Sequence, residues 1–235
     1  MSIKKFFKDN ENNISKNLIG TENYWKRSPA GIVLLKELKY MFKKYTKGKT
    51  LDAGAGKLIY KHLIKKYAYS YESVDFKNTH PDLDYVANVE RLPFKNNTYN
   101  TIFCSQVLEH VPNPEKALRE FYRILKKDGI LILSVPHLAY LHNEPYDFYR
   151  YTNYGIEHLT KKVGFNTLEI KPCGGLFVFI GYISSRLMGI LFNLPLVGKI
   201  FFYLNIGISK FLIFLDKITK NKKIFPVYYI AVLRK

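Results

Sequence analysis

The sequence predicts an α/β fold: a seven-stranded, mostly parallel sheet with helices on both faces and an apolar helical insertion before the last strand. Three observations predict it. Thr50-Leu51-Asp52-Ala53-Gly54-Ala55-Gly56-Lys57-Leu58 reads as a short strand ending in an acid, then a turn with two glycines and the start of a helix. Tyr71-Glu72-Ser73-Val74-Asp75 repeats the strand-then-acid pattern one βαβ step later. Residues 130–135 are apolar except for Ser134, much as a strand covered on both faces should be. The carboxyl ends of such strands are where open α/β sheets bind ligands.

Composition sets the bounds. The 235 residues suit one α/β domain with an elaboration, and at 47% apolar they can bury a core. The two cysteines, Cys104 and Cys173, are too few for a disulfide scaffold or a metal cluster and fit a reducing compartment. A formal net charge of +18 implies anionic partners, although a lysine-rich composition alone leaves the same mark. Residues 1–13 hold lysines and no apolar run of the kind a secretory signal needs.

Residues 1–23 read as a lysine- and asparagine-rich arm. Ser28 as N-cap and Pro29 in the first turn open a helix, with Ile32, Leu35, Leu38 and Phe42 on one face through Tyr45. The glycine turn comes next. A Walker A loop is excluded, because Leu51 and Leu58 occupy its first glycine and its Ser/Thr. A dinucleotide fingerprint would need a third glycine where Ile59 stands. What remains, Asp52-x-Gly54-x-Gly56, resembles motif I of the class I S-adenosylmethionine-dependent methyltransferases. Its glycines let the backbone bend and approach a ligand without a Cβ in the way. Residues 58–66 continue as a helix, and Asp75 at the second strand end is placed to bind ribose hydroxyls. Residues 84–88 and 99–105 supply the third and fourth strands.

Leu92-Pro93-Phe94, the aromatic-led fourth strand, Leu108-Glu109-His110-Val111 and the amphipathic helix beyond resemble the methyltransferase type 11 family over residues 48–170. That family includes quinone-biosynthesis methyltransferases. The resemblance implies a Rossmann-like class I methyltransferase fold with S-adenosylmethionine as cofactor. It places Asp52, Ala53, Gly54, Ala55 and Gly56 at the methionine end, with Asp52 near the amino group. Asp75 falls to the ribose, Asn88 and the Val89 amide to the adenine, and Gln106 completes the cofactor set. Two residues depart from the family pattern: Asn88 and Asn100 stand where aspartates are usual, keeping shape and losing charge. An N-terminal helix often covers the cofactor in such enzymes; the alternative is that Trp25 merely packs beneath it.

Asn113 caps the next helix and Pro114 lies in its first turn. Ala117, Leu118, Phe121 and Leu125 form its apolar stripe, with Lys126, Lys127 and Asp128-Gly129 expected at its end. After the fifth strand, Pro136 opens a loop crowded with His137, Tyr140, His142, Glu144, Tyr146, Asp147, Tyr149, Arg150 and Tyr151. A loop so rich in titratable and aromatic groups at a central strand end is the best candidate for acceptor recognition. His110, His142 and Tyr149 are the candidate bases, His110 being equally a structural residue of its Leu-Glu-His motif. Asp147 and Arg150 are expected to pair. Pro145, Asp147, Arg150 and Thr152 resemble a pattern of methyltransferases from cell-envelope glycan clusters. No His/Cys spacing indicates a metal. A helix over 153–163 and strands over 165–171 and 226–232, the last antiparallel between the fifth and sixth, complete the sheet.

The expected division is an arm and covering helix over 1–47, a core over 48–172 and 224–235, and an insertion over 173–223. Uncharged runs over 174–185 and 187–198 are each too short to span a bilayer. With Lys199, Lys210, Lys217, Lys220, Lys222 and Lys223 they suit helices lying on an anionic membrane surface. An oligomer interface, a lipid tunnel and one bent span through Arg186 are the alternatives. The expected acceptor is a small molecule, glycan or lipid-linked compound, met in the cytoplasm on the inner face of the membrane. A nucleic-acid substrate is disfavoured, since no aromatic-basic stacking surface is evident.

Overall fold

A computed structural model describes residue 18 and residues 21–189, 191–194 and 197–235; apart from residues 18 and 21–23, the predicted arm lies outside them. Contacts divide the chain into two units, residues 38–172 with 228–235, and residues 1–37 with 173–227.

The larger unit is built on a seven-stranded sheet. Its strands are β1 (Lys49–Ala53), β2 (Ser70–Asp75), β3 (Tyr85–Val86), β4 (Tyr99–Ser105), β5 (Leu125–Pro136), β6 (Asn166–Cys173) and β7 (Tyr228–Arg234), in the order β3-β2-β1-β4-β5-β7-β6. The pairs β1–β2, β1–β4, β2–β3 and β4–β5 are parallel, and β7 runs antiparallel to β5, as predicted. Strand order reverses at β1 and β4, so the loops after these two strands flank the crevice where such sheets take ligands.

Helix α1 (Pro29–Tyr45) contributes its second half to this unit. Phe42 packs edge-on against Phe103 and Tyr60, with ring centroids 4.9 Å and 6.3 Å away. Against the other face lie α3 (Pro114–Ile124) and α4 (Asn153–Val163), whose Leu118, Phe121, Ile124 and Ile156 join Leu51, Ile102, Leu131 and Leu133 in the core. Asn113 and Thr152 cap these helices, each side chain accepting from a backbone amide three residues on.

Three boundaries differ from prediction. Helix α2 is only Lys61–Ile64, because the turn from Gly56 leaves Leu58 at φ 57°. The third strand shrinks to two residues. Helix α3 stops at Ile124, and Lys126, Lys127 and Asp128 belong to β5, because Leu125 turns extended to pair with Tyr99 ahead of a bulge.

In the smaller unit, α5 (Leu176–Met188) and α6 (Gly198–Thr219) form a helical pair. By contacts it takes in the described residues up to 37 together with residues 173–227. Asn205 donates to the Arg27 carbonyl, and a Cβ on Gly181 would meet Pro29 at 2.7 Å. The N-terminal segment therefore packs with the insertion, and Trp25 is buried there. Helix α6 is long and apolar enough to cross a membrane by length and composition, although only 17% of its most apolar stretch is buried. Helix α5 continues through Arg186, at which the sequence splits the two uncharged runs, and ends at Met188.

Candidate functional site

The turn after β1 is held by its own backbone. Gly54 and Ala55 both donate to the Val74 carbonyl, and the Gly56 amide donates to Asp75 Oδ2 at 2.8 Å. Gly54 sits at φ 77° with Val107 so close that a Cβ would approach it to 2.2 Å. Gly56, at φ 52°, has nothing within 4 Å of where a Cβ would be. The turn is thus tight on one side and open on the other, which fits a ligand passing over it. Those three amides are already engaged, so what Gly54, Ala55 and Gly56 offer a cofactor is bare backbone surface.

Asp52 is buried at the end of β1 and accepts from the Tyr71 hydroxyl at 2.9 Å. Burial pushes its carboxyl up to about 7, the hydroxyl opposing and the Asp75 charge adding to the rise. A cation such as an ammonium would restore its charge. Asp75 ends β2, its Oδ1 accepting from the Lys77 amide at 3.2 Å. Asn88 uses Oδ1 to accept from the Glu90 amide at 2.9 Å, and Val89 is buried beside it. Gln106, at φ 56°, donates through Nε2 to Ser134 Oγ, which meets Ser105 Oγ at 2.8 Å. Asn100 lies away from these residues, accepting from the Lys49 amide and Lys126, so its departure from the family pattern is structural.

The loop after β5 folds back on the 3-10 turn Leu108–His110. Amides of Phe148 and Tyr149 reach the Glu109 carbonyl, and the Tyr151 hydroxyl donates to the Leu108 carbonyl. Arg150 and Asp147 pair in a fork at 2.6 and 2.7 Å, as expected, which holds the Asp147 carboxyl down at about 2. Of the three base candidates, His110 and His142 meet with ring centroids 4.8 Å apart. Tyr149 turns elsewhere and donates to the Pro112 carbonyl at 3.0 Å. Burial lowers the His110 pKa.

Glu109 is the residue that sequence reasoning passed over. It is fully buried between the two histidines, and burial raises its carboxyl to about 8. Its place within Leu-Glu-His was visible; its encounter with His142 from another segment was not.

A family model described as a methyltransferase domain matches residues 25–169, more than half of the chain. An uncharacterised protein of Methanocaldococcus jannaschii is 36% identical over 112 residues, 44% of this chain and 48% of that protein. The ubiquinone/menaquinone biosynthesis C-methyltransferase UbiE of Klebsiella pneumoniae is 40% identical over 87 residues, 35% of this chain and 32% of that enzyme. These matches span about half or less of the relatives' length. A SAM-dependent methyltransferase structure from Archaeoglobus fulgidus shares the fold, with TM-score 0.57, 15% identity and coverage of 86% of this chain and 93% of that one.

Proposed function

The chain belongs to the methyltransferase-domain family of S-adenosylmethionine-dependent enzymes, and from that premise we propose that it methylates a small-molecule, glycan or lipid-linked acceptor at an anionic membrane surface. When bound, S-adenosylmethionine supplies a methyl group already activated on a sulfonium. The protein's work is then mainly to place an acceptor atom in line and exclude water, with proton removal only for a hydroxyl acceptor. Asp52 would face the cofactor's amino group, the open side of Gly56 its path, Asp75 the ribose, Asn88 and Val89 the adenine. The loop of residues 137–151 would form the acceptor side.

The observation that carries the membrane reading is the inverted polarity of the helical pair. On α6 the buried residues include Asn205, Ser209 and Asp216, whereas Ile200, Tyr203, Phe211, Phe214 and Ile218 are each more than half exposed. Ser185 donates to Asn205, and Asp216 accepts from the Phe177 and Val178 amides, so polar groups hold the pair together while apolar ones face outward. Exposed apolar area of this kind marks an interaction surface. Exposed Lys199, Lys210, Lys217, Lys222 and Lys223 along and beyond α6 suit anionic head groups. The location would be the cytoplasmic leaflet.

The purified chain should sediment with anionic vesicles and less with neutral ones. A chain that ignores vesicles and forms a discrete dimer without detergent would assign the apolar face to self-association and sink the membrane reading. A non-catalytic module is the rival favoured by Asn88, which lacks the charge of the family's usual aspartate and already accepts from the Glu90 amide. Calorimetry with S-adenosylhomocysteine separates the two, since a chain that fails to bind it is no methyltransferase.

A further inference from the structure

Glu109, His110 and His142 come together from two segments that the sequence separates. Glu109 Oε1 lies 3.7 Å from His110 Nε2 and 3.9 Å from His142 Nε2, and the three atoms all fall within 4.8 Å of one another. Both imidazoles are oriented by backbone carbonyls. His110 Nδ1 donates to the Tyr146 carbonyl at 2.6 Å, and His142 Nδ1 donates to the Tyr140 carbonyl at 3.1 Å. A carbonyl only accepts, so each neutral ring carries its proton on Nδ1 and turns an Nε2 lone pair toward Glu109.

Glu109 is fully buried, and neither of its carboxylate oxygens meets a hydrogen-bond partner. Asn143 Nδ2 approaches His110 Nε2, but at 3.4 Å, beyond the usual range of such bonds. With Glu109 ionised, three acceptors face one another, and only the long Asn143 contact brings a donor among them. It is relieved by a proton on the Glu109 carboxyl, which at 3.7 and 3.9 Å lies too far from either nitrogen for a good hydrogen bond, or by a cation in the middle.

We propose that Glu109, His110 and His142 form a binding site for one divalent transition-metal ion, of the class of Zn²⁺ or Mn²⁺. Two imidazoles and a carboxylate are the donors these ions accept, whereas Mg²⁺ and Ca²⁺ prefer oxygen alone. An imidazole whose other nitrogen is fixed by a carbonyl is the usual outer-shell arrangement of a metal-binding histidine. Bonds of about 2.1 Å in a tetrahedral site put ligand atoms about 3.4 Å apart, so the two Glu109 separations of 3.7 and 3.9 Å need little change while the widest, up to 4.8 Å, must close by as much as about 1.4 Å. The loop is already braced for it, because the His142 amide donates to Asp147 Oδ2 and Asp147 is held by Arg150.

Such an ion would tie the loop after β5 to the turn after β4, the latter flanking the crevice. As ligands, the two imidazoles would give up the base role first considered for them. Three protein ligands leave a position open, where an acceptor oxygen would bind and become more acidic. That last step rests on the methyl-transfer reading; ion binding itself does not.

The test uses the untagged full chain, stripped with EDTA and titrated with Zn²⁺ and separately with Mn²⁺. One ion per chain is expected for at least one metal, at micromolar affinity or tighter. Co²⁺ substitution should give the visible absorption of a nitrogen- and oxygen-ligated ion. His142→Ala and Glu109→Gln should each weaken binding at least tenfold, while circular dichroism of the metal-free variants stays that of the parent. Absence of a saturable site, or affinity unchanged in both variants, overturns the proposal. Parallel titration with S-adenosylhomocysteine keeps the readings apart: cofactor binding without any ion site sinks the metal and leaves the methyltransferase standing.

Discussion

Asp52 and Gly54 carry the chemistry of the glycine turn in opposite ways, one through charge and one through shape. With its pKa near 7, Asp52 is protonated over much of the mildly acidic range. Below the usual aspartate pKa both folded and unfolded chains hold the proton, so the shift costs nothing there. As pH rises from about 4 to about 7 the unfolded chain ionises first, and this residue's contribution to stability falls. A bound ammonium reverses the preference, so S-adenosylhomocysteine should bind at pH 6 with release of a proton. Calorimetry in two buffers of different ionisation enthalpy would show it, and Asp52→Asn should abolish it. Equal observed heats in the two buffers would remove Asp52 from the amino group. For Gly54→Ala, the left-handed φ and the Val107 contact together should cost about 2–4 kcal/mol, read as a fall in denaturation midpoint. Adding Val107→Ala should recover the steric part only. Asp75→Ala should weaken S-adenosylhomocysteine at least about tenfold, since it removes a charged acceptor and releases the Gly56 amide.

At the scale of elements, the helical pair is organised by one carboxylate. Asp216 on α6 accepts from two amides in the first turn of α5, where four backbone donors lack intrahelical partners. Asn221 accepts from the Leu176 amide alongside. Asp216→Ala leaves one buried and one partly buried amide without their acceptor and should destabilise the chain by about 2–4 kcal/mol, measured by urea unfolding. Asp216→Asn, which retains one oxygen, should lose less. Equal losses would mean that the site needs the side chain's charge more than its hydrogen bonds.

For the whole molecule, the formal charge of +18 sets how far an anionic surface is felt. Each lysine near such a surface contributes about 1 kcal/mol, an attraction confined to a Debye length of about 8 Å at physiological salt. Apolar side chains entering lipid contribute about 1.5–3 kcal/mol each and are not screened. Vesicle attachment should therefore weaken in high salt without vanishing. Complete release by salt would assign attachment to charge alone and leave the exposed phenylalanines of α6 without a lipid role. Retention after an alkaline carbonate wash would instead point to α6 as a span.

Local chemistry was legible in the chain. Asp-x-Gly-x-Gly, the Ser28-Pro29 and Asn113-Pro114 helix starts and the largely apolar run of residues 130–135 each follow from backbone preferences or periodicity within a few residues. The antiparallel place of the last strand between the fifth and sixth followed from the resemblance. What periodicity could not give was which face of an apolar helix turns inward: Asn205, Ser209 and Asp216 look like interruptions until partners such as Arg27, Ser185 and the α5 amides are in place. Nor could it show that Glu109 and His142, from different loops, would share one buried space. Contacts between distant segments depend on how loops close over the sheet, and only the tertiary structure decided them.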